Sequence, residues 1–216
     1  MKKCLLLLML ALLISGCGEE PDTPEKALAD IKQAIEQCDY DKFAARVDLK
    51  TLLEKAYDDS TMELSLRSAE FRRRYPDDPF FQNDPDFIMT YIDLNRAEHM
   101  QFINAVVEKC FDLKAVPPTE FEDDVIAGTA AELRHYYATT GSKVVSVMSS
   151  ENKAIVRLNV TFESLYAEGS YTLPLELEFE KSQELWRLTA IKNVDEIIKT
   201  LVDIAEKLWP DQLNSR

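Results

Sequence analysis

Near residue 140 the chain changes its hydrophobic period, and that change limits the folds open to it. Downstream, Ala154, Val156, Leu158, Val160 and Phe162 alternate with Ile155, Arg157, Asn159 and Thr161. Tyr171, Leu173, Leu175, Leu177 and Phe179 alternate in the same way with Thr172, Pro174, Glu176, Glu178 and Glu180. A period of two sends successive side chains to opposite faces, so both stretches read as strands with one buried and one wet face. Val144 to Met148 precedes them, and Leu185 to Ile191, carrying Trp186, follows. Ser149 to Lys153, Ala167 to Gly169 and Ser182-Gln183-Glu184 supply the turns. Four strands joined by short turns predict an antiparallel meander over 142–191. Pro174 has no N–H for a ladder and is expected at an edge or a bulge.

Upstream, apolar residues recur every three or four positions, the helical period. Thr23-Pro24-Glu25 offers an N-cap hydroxyl, a proline at the first helical position and an acid at the positive dipole end. Leu28, Ile31, Ile35 and Cys38 form one stripe, with Ala27 and Ala34 beside it. Asp39-Tyr40-Asp41 is expected to break that helix, and Phe43, Ala44 and Val47 to form a short second one. Asp48 then caps a third, striped by Leu49, Leu52, Leu53, Ala56 and Tyr57. Residues 61–86 are less regular. Phe87 to Lys114 is a long helical pattern, expected to be interrupted near Asn95; Asn95 and His99 either line a cavity or turn to solvent at the break. After Val116-Pro117-Pro118, Thr119 to Thr140 gives one more helix. Asn193-Val194-Asp195-Glu196 resembles a capping box and opens a closing helix, 194–209, ended by Pro210. The expected fold class is α+β: a helical layer, 23–140, packed on the sheet, with a closing C-terminal helix, in one domain spanning 23–210.

The N-terminus carries a different message. Lys2 and Lys3 precede an apolar run, Leu5 to Ile14, of ten residues. That is half of the roughly 20 a membrane-spanning helix needs, but within the roughly 7–15 of a secretory signal. The run closes on Ile14-Ser15-Gly16-Cys17, which resembles the bacterial lipobox. The resemblance implies cleavage between Gly16 and Cys17, acylation of the Cys17 thiol, and residues 17–22 as a short tether. It also implies a lipoprotein held in the cell envelope by its acyl chains. Gly18, rather than aspartate, follows the cysteine, which favours the outer membrane facing the periplasm, or the outer face of the membrane in a one-membrane organism.

The formal charge is −14, and two units more negative without Lys2 and Lys3. Such a chain is repelled by nucleic acid and by anionic lipid, so nucleic acid is not an expected partner. Cys38 and Cys110 remain once Cys4 and Cys17 are set aside; they either form a disulfide or are two small buried side chains. Arg72-Arg73-Arg74 before Tyr75-Pro76 reads either as a helix end complementing its carbonyl dipole or as a docking patch for an anion or an acidic partner. Asp77, Asp78, Asp84 and Asp86 lack the spacing and turn glycine of a calcium loop, and neither His99 nor His135 has a second ligand three or four residues after it, so no metal or cofactor is expected.

The stretch Ala34 to Phe43, followed by Ala45-Arg46-Val47-Asp48-Leu49, resembles the start of an uncharacterised family of bacterial envelope proteins. More loosely it resembles the helical layer of the NTF2-like superfamily. Helices first, then a curved meander ending in Leu185-Trp186-Arg187-Leu188-Thr189-Ala190-Ile191, is again similar to an NTF2-like cone. This chain would add a helical insertion at roughly 61–140 and a helix after the last strand. No nucleophile motif, phosphate loop or metal motif is present, so no catalytic residue is assigned. The expected role is a non-catalytic binding or interaction module for an envelope protein or a small apolar ligand. The alternatives are an enzyme or carrier using an NTF2-like cavity, and a structural or assembly factor.

Overall fold

The computed structural model describes residues 21–112, 124–163 and 170–208. They form α1 (Pro24–Gln37), α2 (Tyr40–Arg46), α3 (Leu49–Leu66), α4 (Ser68–Arg74), α5 (Pro85–Asp112) and α6 (Val125–Thr139). The strands β1 (Gly141–Ser149), β2 (Lys153–Glu163), β3 (Ser170–Ser182) and β4 (Leu185–Ile191) follow, and α7 (Val194–Leu208) closes the chain. The sheet is antiparallel in the order β1-β2-β3-β4, so the fold is α+β. The turns at Ala167–Gly169 and the residues 113–123 lie outside the described residues.

Helix starts follow local chemistry. The Thr23 hydroxyl accepts from the Lys26 N–H, and Asp39, Asp48 and Asp124 accept from the N–H groups of Lys42, Thr51 and Ala127. Each bond satisfies a donor that the first helical turn leaves without a partner. Cys38 is not part of the stripe of α1. It is the C-cap, with φ of 54° in the left-handed region, where the chain reverses into α2.

Two expectations about helices need correction. Residues 61–74 are largely helical: α3 continues to Leu66 and α4 follows after Arg67. The polar run Asp58-Asp59-Ser60-Thr61 imitates a break, but Ser60 and Thr61 donate back to the carbonyls of Ala56 and Asp58, so the helix carries on. Likewise α5 runs for 28 residues without interruption. Asn95 donates to the Tyr91 carbonyl four residues earlier, at 2.7 Å, and so stays within the helix.

The alternation in the last third is realised as pairing. Ala154, Val156 and Leu158 stand opposite Phe179, Leu177 and Leu175, which places the apolar sets of β2 and β3 on one face. Ala27, Leu28 and Ile31 of α1 and Val47 pack on that face, together with Trp186 and Leu188 of β4. Phe179 and Val156 are wholly buried, each adding about 1.5–3 kcal/mol of apolar transfer. Pro174 lies in β3, an interior strand, yet β4 pairs only from Leu177 onward, so β3 is an edge where the proline sits. The Asn193 carboxamide fills in there. Its Oδ1 accepts from the Glu176 N–H at 2.9 Å, and its Nδ2 donates to the Pro174 carbonyl at 3.0 Å and to Glu196 at 3.2 Å.

The outer edge of β4 is sealed by the segment joining α2 to α3. Val47 bridges to Leu188, the Asp48 N–H donates to the Leu188 carbonyl, and Arg187 donates to the carbonyls of Ala44 and Val47. Arg46 completes this join. Its guanidinium donates twice to Asp22 at 2.7 and 2.9 Å, and to Asp30 at 2.6 and 2.9 Å. Asp22 in turn accepts from the Trp186 backbone N–H at 2.7 Å. Both Arg46 and Asp22 side chains are only about a tenth exposed. Burial pushes the Asp22 carboxyl up, but the hydrogen bonds from Arg46 and the Trp186 amide overcome it and hold the group below its usual value. Asp22, read in sequence as the end of a tether, belongs to the fold.

A depressed carboxylate contributes stability above its unfolded value of about 3.9 and loses it as pH falls through the folded value. Replacing Arg46→Met leaves Asp22 without its cation and is expected to cost about 3 kcal/mol in urea unfolding at neutral pH. The same variant should lose the part of acid destabilisation below about pH 4 that Asp22 contributes. An unchanged acid limb would refute that account. The β3–β4 hairpin yields a second expectation. Gln183 and Glu184 both have positive φ, 50° and 67°, the geometry of a two-residue turn that favours Asn-Gly. Replacing Gln183→Asn together with Glu184→Gly should raise stability by about 1 kcal/mol, read as a higher urea midpoint at unchanged slope.

Candidate functional site

Four helices that pack on or beside the sheet leave a gap between them. α1 contributes Ile35, α2 contributes Phe43, α5 contributes Val107, Cys110 and Phe111, and α6 contributes Leu133, Arg134 and Tyr137. The pocket has a volume of about 160 Å³ and an almost wholly apolar lining. Its position follows from residue sizes. Where α5 and α6 cross, Val106 meets Ala130 and Ala131, small enough for close approach. One turn on, α5 presents Phe111, whose ring stands 4.9 Å from Phe43 and 5.4 Å from Tyr40. The bulk at this end holds the helices apart, and Leu133, about half exposed, forms part of the wall.

The polar groups at the wall are turned to the backbone. Arg134 donates to the Cys110 carbonyl at 2.9 Å, and the Tyr137 hydroxyl donates to the Lys32 carbonyl at 3.2 Å. The Cys110 thiol lies 3.7 Å from the Ala130 carbonyl. Burial pushes the Cys110 thiol up against the pull of Arg134, and burial also raises the Tyr137 phenol. Both groups are therefore neutral near pH 7. No base stands within hydrogen-bond distance of the thiol in the bonds described, so the arrangement is suited to holding apolar groups rather than to attacking them.

Cys38 and Cys110 are not joined by a disulfide. Neither are they two buried side chains: both are half-buried, Cys38 on the helix cap and Cys110 with its thiol toward the Ala130 carbonyl of α6. The arginine triplet is the basic last turn of α4, and its members diverge. Arg72 donates to the carbonyls of Phe81 and Asn83, clamping the following loop, while Arg74 pairs with Glu70 at 3.1 Å and Asp203 at 3.2 Å. Arg73 alone is exposed, so the three do not make one patch. Phe80 and Phe81 are half-buried in an aromatic group with Phe71, Tyr75 and Tyr91. His99 and Asn95 do not line a cavity together: His99 Nδ1 meets the Tyr57 hydroxyl at 2.9 Å, and Asn95 bonds within its own helix. Among the described residues no group of three or more His, Cys, Asp or Glu gathers as a metal site. Gly16 and Cys17 lie outside the described residues.

Sequence reading missed the pocket because its walls come from four helices whose packing no local pattern encodes. The aromatics at Tyr40, Phe43 and Phe111 were the one visible trace. No family model, no curated protein and no solved structure matches this chain.

In a Cys17→Ser background, Cys110 is expected to react with a thiol reagent at about pH 8 roughly tenfold more slowly in the folded protein than after unfolding. Full labelling of Cys38 and Cys110 in denaturant without a reductant would confirm that no bridge joins them. Equal rates in the two states would contradict the half-buried position of Cys110.

Proposed function

We propose that this chain is a lipid-anchored lipoprotein of the bacterial cell envelope that acts as a non-catalytic binding module, taking an apolar group into the pocket between α1, α2, α5 and α6. The apolar pocket is the observation that carries this reading. Its volume, about 160 Å³, is well under the roughly 300–1,000 Å³ of sites for whole drug-sized ligands. It is close to the roughly 150 Å³ of an engineered apolar cavity that admits benzene. It therefore fits one aromatic ring or a short alkyl branch, the size of a single anchoring side chain in a protein interface. The neutral thiol and the phenol turned to the backbone favour binding over an enzyme.

The anchor rests on Lys2, Lys3, the run Leu5 to Ile14 and Ser15-Gly16-Cys17. Among the described residues no helix is long and apolar enough to cross a membrane. Attachment would then depend on acyl chains at Cys17, of which two or more are needed for stable anchoring. Gly18 after the cysteine favours the outer membrane over the inner one. We further read the helical layer and four-stranded meander as an NTF2-like cone in which α4, α5 and α6 form a helical insertion.

Two readouts test this. An alkyne-palmitate label fed to bacteria expressing the full chain should mark the wild type and not Cys17→Ala; a label that persists in the variant removes the anchor. In nuclear magnetic resonance titrations, indole or toluene should shift resonances of Ile35, Val107 and Leu133. Leu133→Trp, whose ring is placed to fill the gap, should weaken that response by about tenfold. Shifts scattered over the surface, or none, would remove the pocket as a binding site.

A further inference from the structure

Asp22 stands ahead of the first helix cap, yet the fold grips its side chain. It accepts two bonds from the Arg46 guanidinium and one from the Trp186 N–H, and it is only about a tenth exposed. Trp186 is the second residue of β4, directly after the hairpin in which Ser182 pairs with Leu185. Opposite Trp186, the Lys181 N–H donates to the Asn152 carbonyl, so the β1–β2 turn lies at the same end of the sheet. The chain thus enters the domain at one defined place, beside those two turns. From there α1 runs toward the other end. Lys32 donates its ammonium to the Ser142 hydroxyl at 2.6 Å, and Ser142 stands near the start of β1, roughly 24 Å along the strand from the β1–β2 turn. Tyr137, at the pocket wall, donates to the Lys32 carbonyl. The pocket residue Ile35 lies nearly a turn further on, roughly 20 Å along the helix from Asp22.

The sequence sets how far this entry point can stand from the anchor. Cys17 to Asp22 is five Cα steps, a span of at most about 17 Å even when fully extended. A domain of this size is roughly 40 Å across. Acyl chains at Cys17 would therefore hold the end with the two turns next to the bilayer. Charge keeps the remainder away. The chain carries −14, and an anionic bilayer repels it. At the end with the turns much of the charge is already paired, Lys153 with Glu180 at 2.9 Å and Lys181 with Glu184 at 2.7 Å. Leu185 beside them is 44% exposed. The helix α5, by contrast, exposes Asp86, Asp93 and Glu98.

We infer that the end of the sheet bearing the β1–β2 and β3–β4 turns is the membrane-facing end of the domain, with a lipid surface as the partner of Glu151, Gln183 and Leu185. The apolar pocket is then held at the remote end, where its occupant arrives from the aqueous side or on another protein and not from the bilayer. This orientation rests on the acyl anchor proposed above. What it adds is the grip on Asp22: a tether leading into a loosely held terminus would leave the domain free to tumble, whereas this one leads into a side chain fastened to β4.

The test places a diazirine photo-crosslinking residue, one position at a time, in the full acylated chain reconstituted into vesicles of phosphatidylethanolamine with phosphatidylglycerol as the anionic lipid. Gln183 and Glu151 sample the two turns; Glu36, at the end of α1, and Glu163, at the opposite end of the sheet, sample the remote side. All four are exposed, so none of the substitutions should alter thermal unfolding. Lipid captured on irradiation, read by the mass of the chain, should be at least about fivefold greater at Gln183 and Glu151 than at Glu36 and Glu163. Inserting about 24 glycine and serine residues after Glu20 should lower that preference at least about twofold, because the longer tether lets the domain turn. Palmitate labelling of the same chains separates the two ways of failing. An acylated chain that captures lipid equally at all four positions, or more at Glu36, or whose preference ignores the insertion, keeps its anchor and overturns the orientation. A chain without acylation overturns the anchor and the orientation with it.

Discussion

One guanidinium holds the two ends of this fold together. Arg46 closes α2, and through Asp22 and Asp30 it ties the entry of the chain and helix α1 to β4. Such a group could not be buried without partners, because an uncompensated charge in a low-dielectric site costs several kcal/mol. Here two carboxylates supply acceptors in a planar fork that arginine can satisfy and lysine cannot. The arrangement also explains why β4 is a protected edge. The segment from Ala44 to Asp48 is pinned beside it, and its carbonyls take up Arg187.

The remainder of the molecule is held in a different way. The sheet side has a continuous core from Ala27 to Leu188, dominated by branched and aromatic side chains in register across three strands. The helices α4, α5 and α6 have smaller cores: Val106 with Ala130 and Ala131, and the stacked group around Phe71. Alanine contacts bring helices close but remove little apolar surface from water. These helices therefore draw less stabilisation per residue than the sheet, and several large side chains are left outside on them, Phe87, Leu94 and Leu133 among them. A part of a protein that is lightly buried and apolar on its surface is suited to meeting something else.

Local chemistry made much of this readable. The caps at Thr23 and Asp48 and the alternation over 154–162 and 171–179 are short-range patterns, and the structure follows them. Pro174 was readable as a local edge for the same reason. What failed was local competition that sequence could not resolve, and whatever depends on distant partners. Asn95 looked like a break because its side chain competes for the backbone, yet here that side chain bonds back to Tyr91 and the helix persists. Cys38 matched the stripe of α1 by spacing, but the chain had already left the helix there. Asp22 looked like tether because the residue that gives it meaning, Trp186, is 164 positions away. The pocket is the extreme case, since four separate helices must be assembled before it exists.

That separation has a temporal side. A chain made from its N-terminus exposes Asp22 and Arg46 long before Trp186 is added. At roughly 5–20 residues per second the interval is on the order of ten to thirty seconds. During that time the first helix can form locally, but the join to the last strand cannot, because long-range contacts must wait for their partners. Once β4 arrives, Asp22 is drawn in and the fold begins one residue before its first helix cap. The order of synthesis would then set the order of events at this end of the protein: helix α1 first, closure onto β4 afterwards.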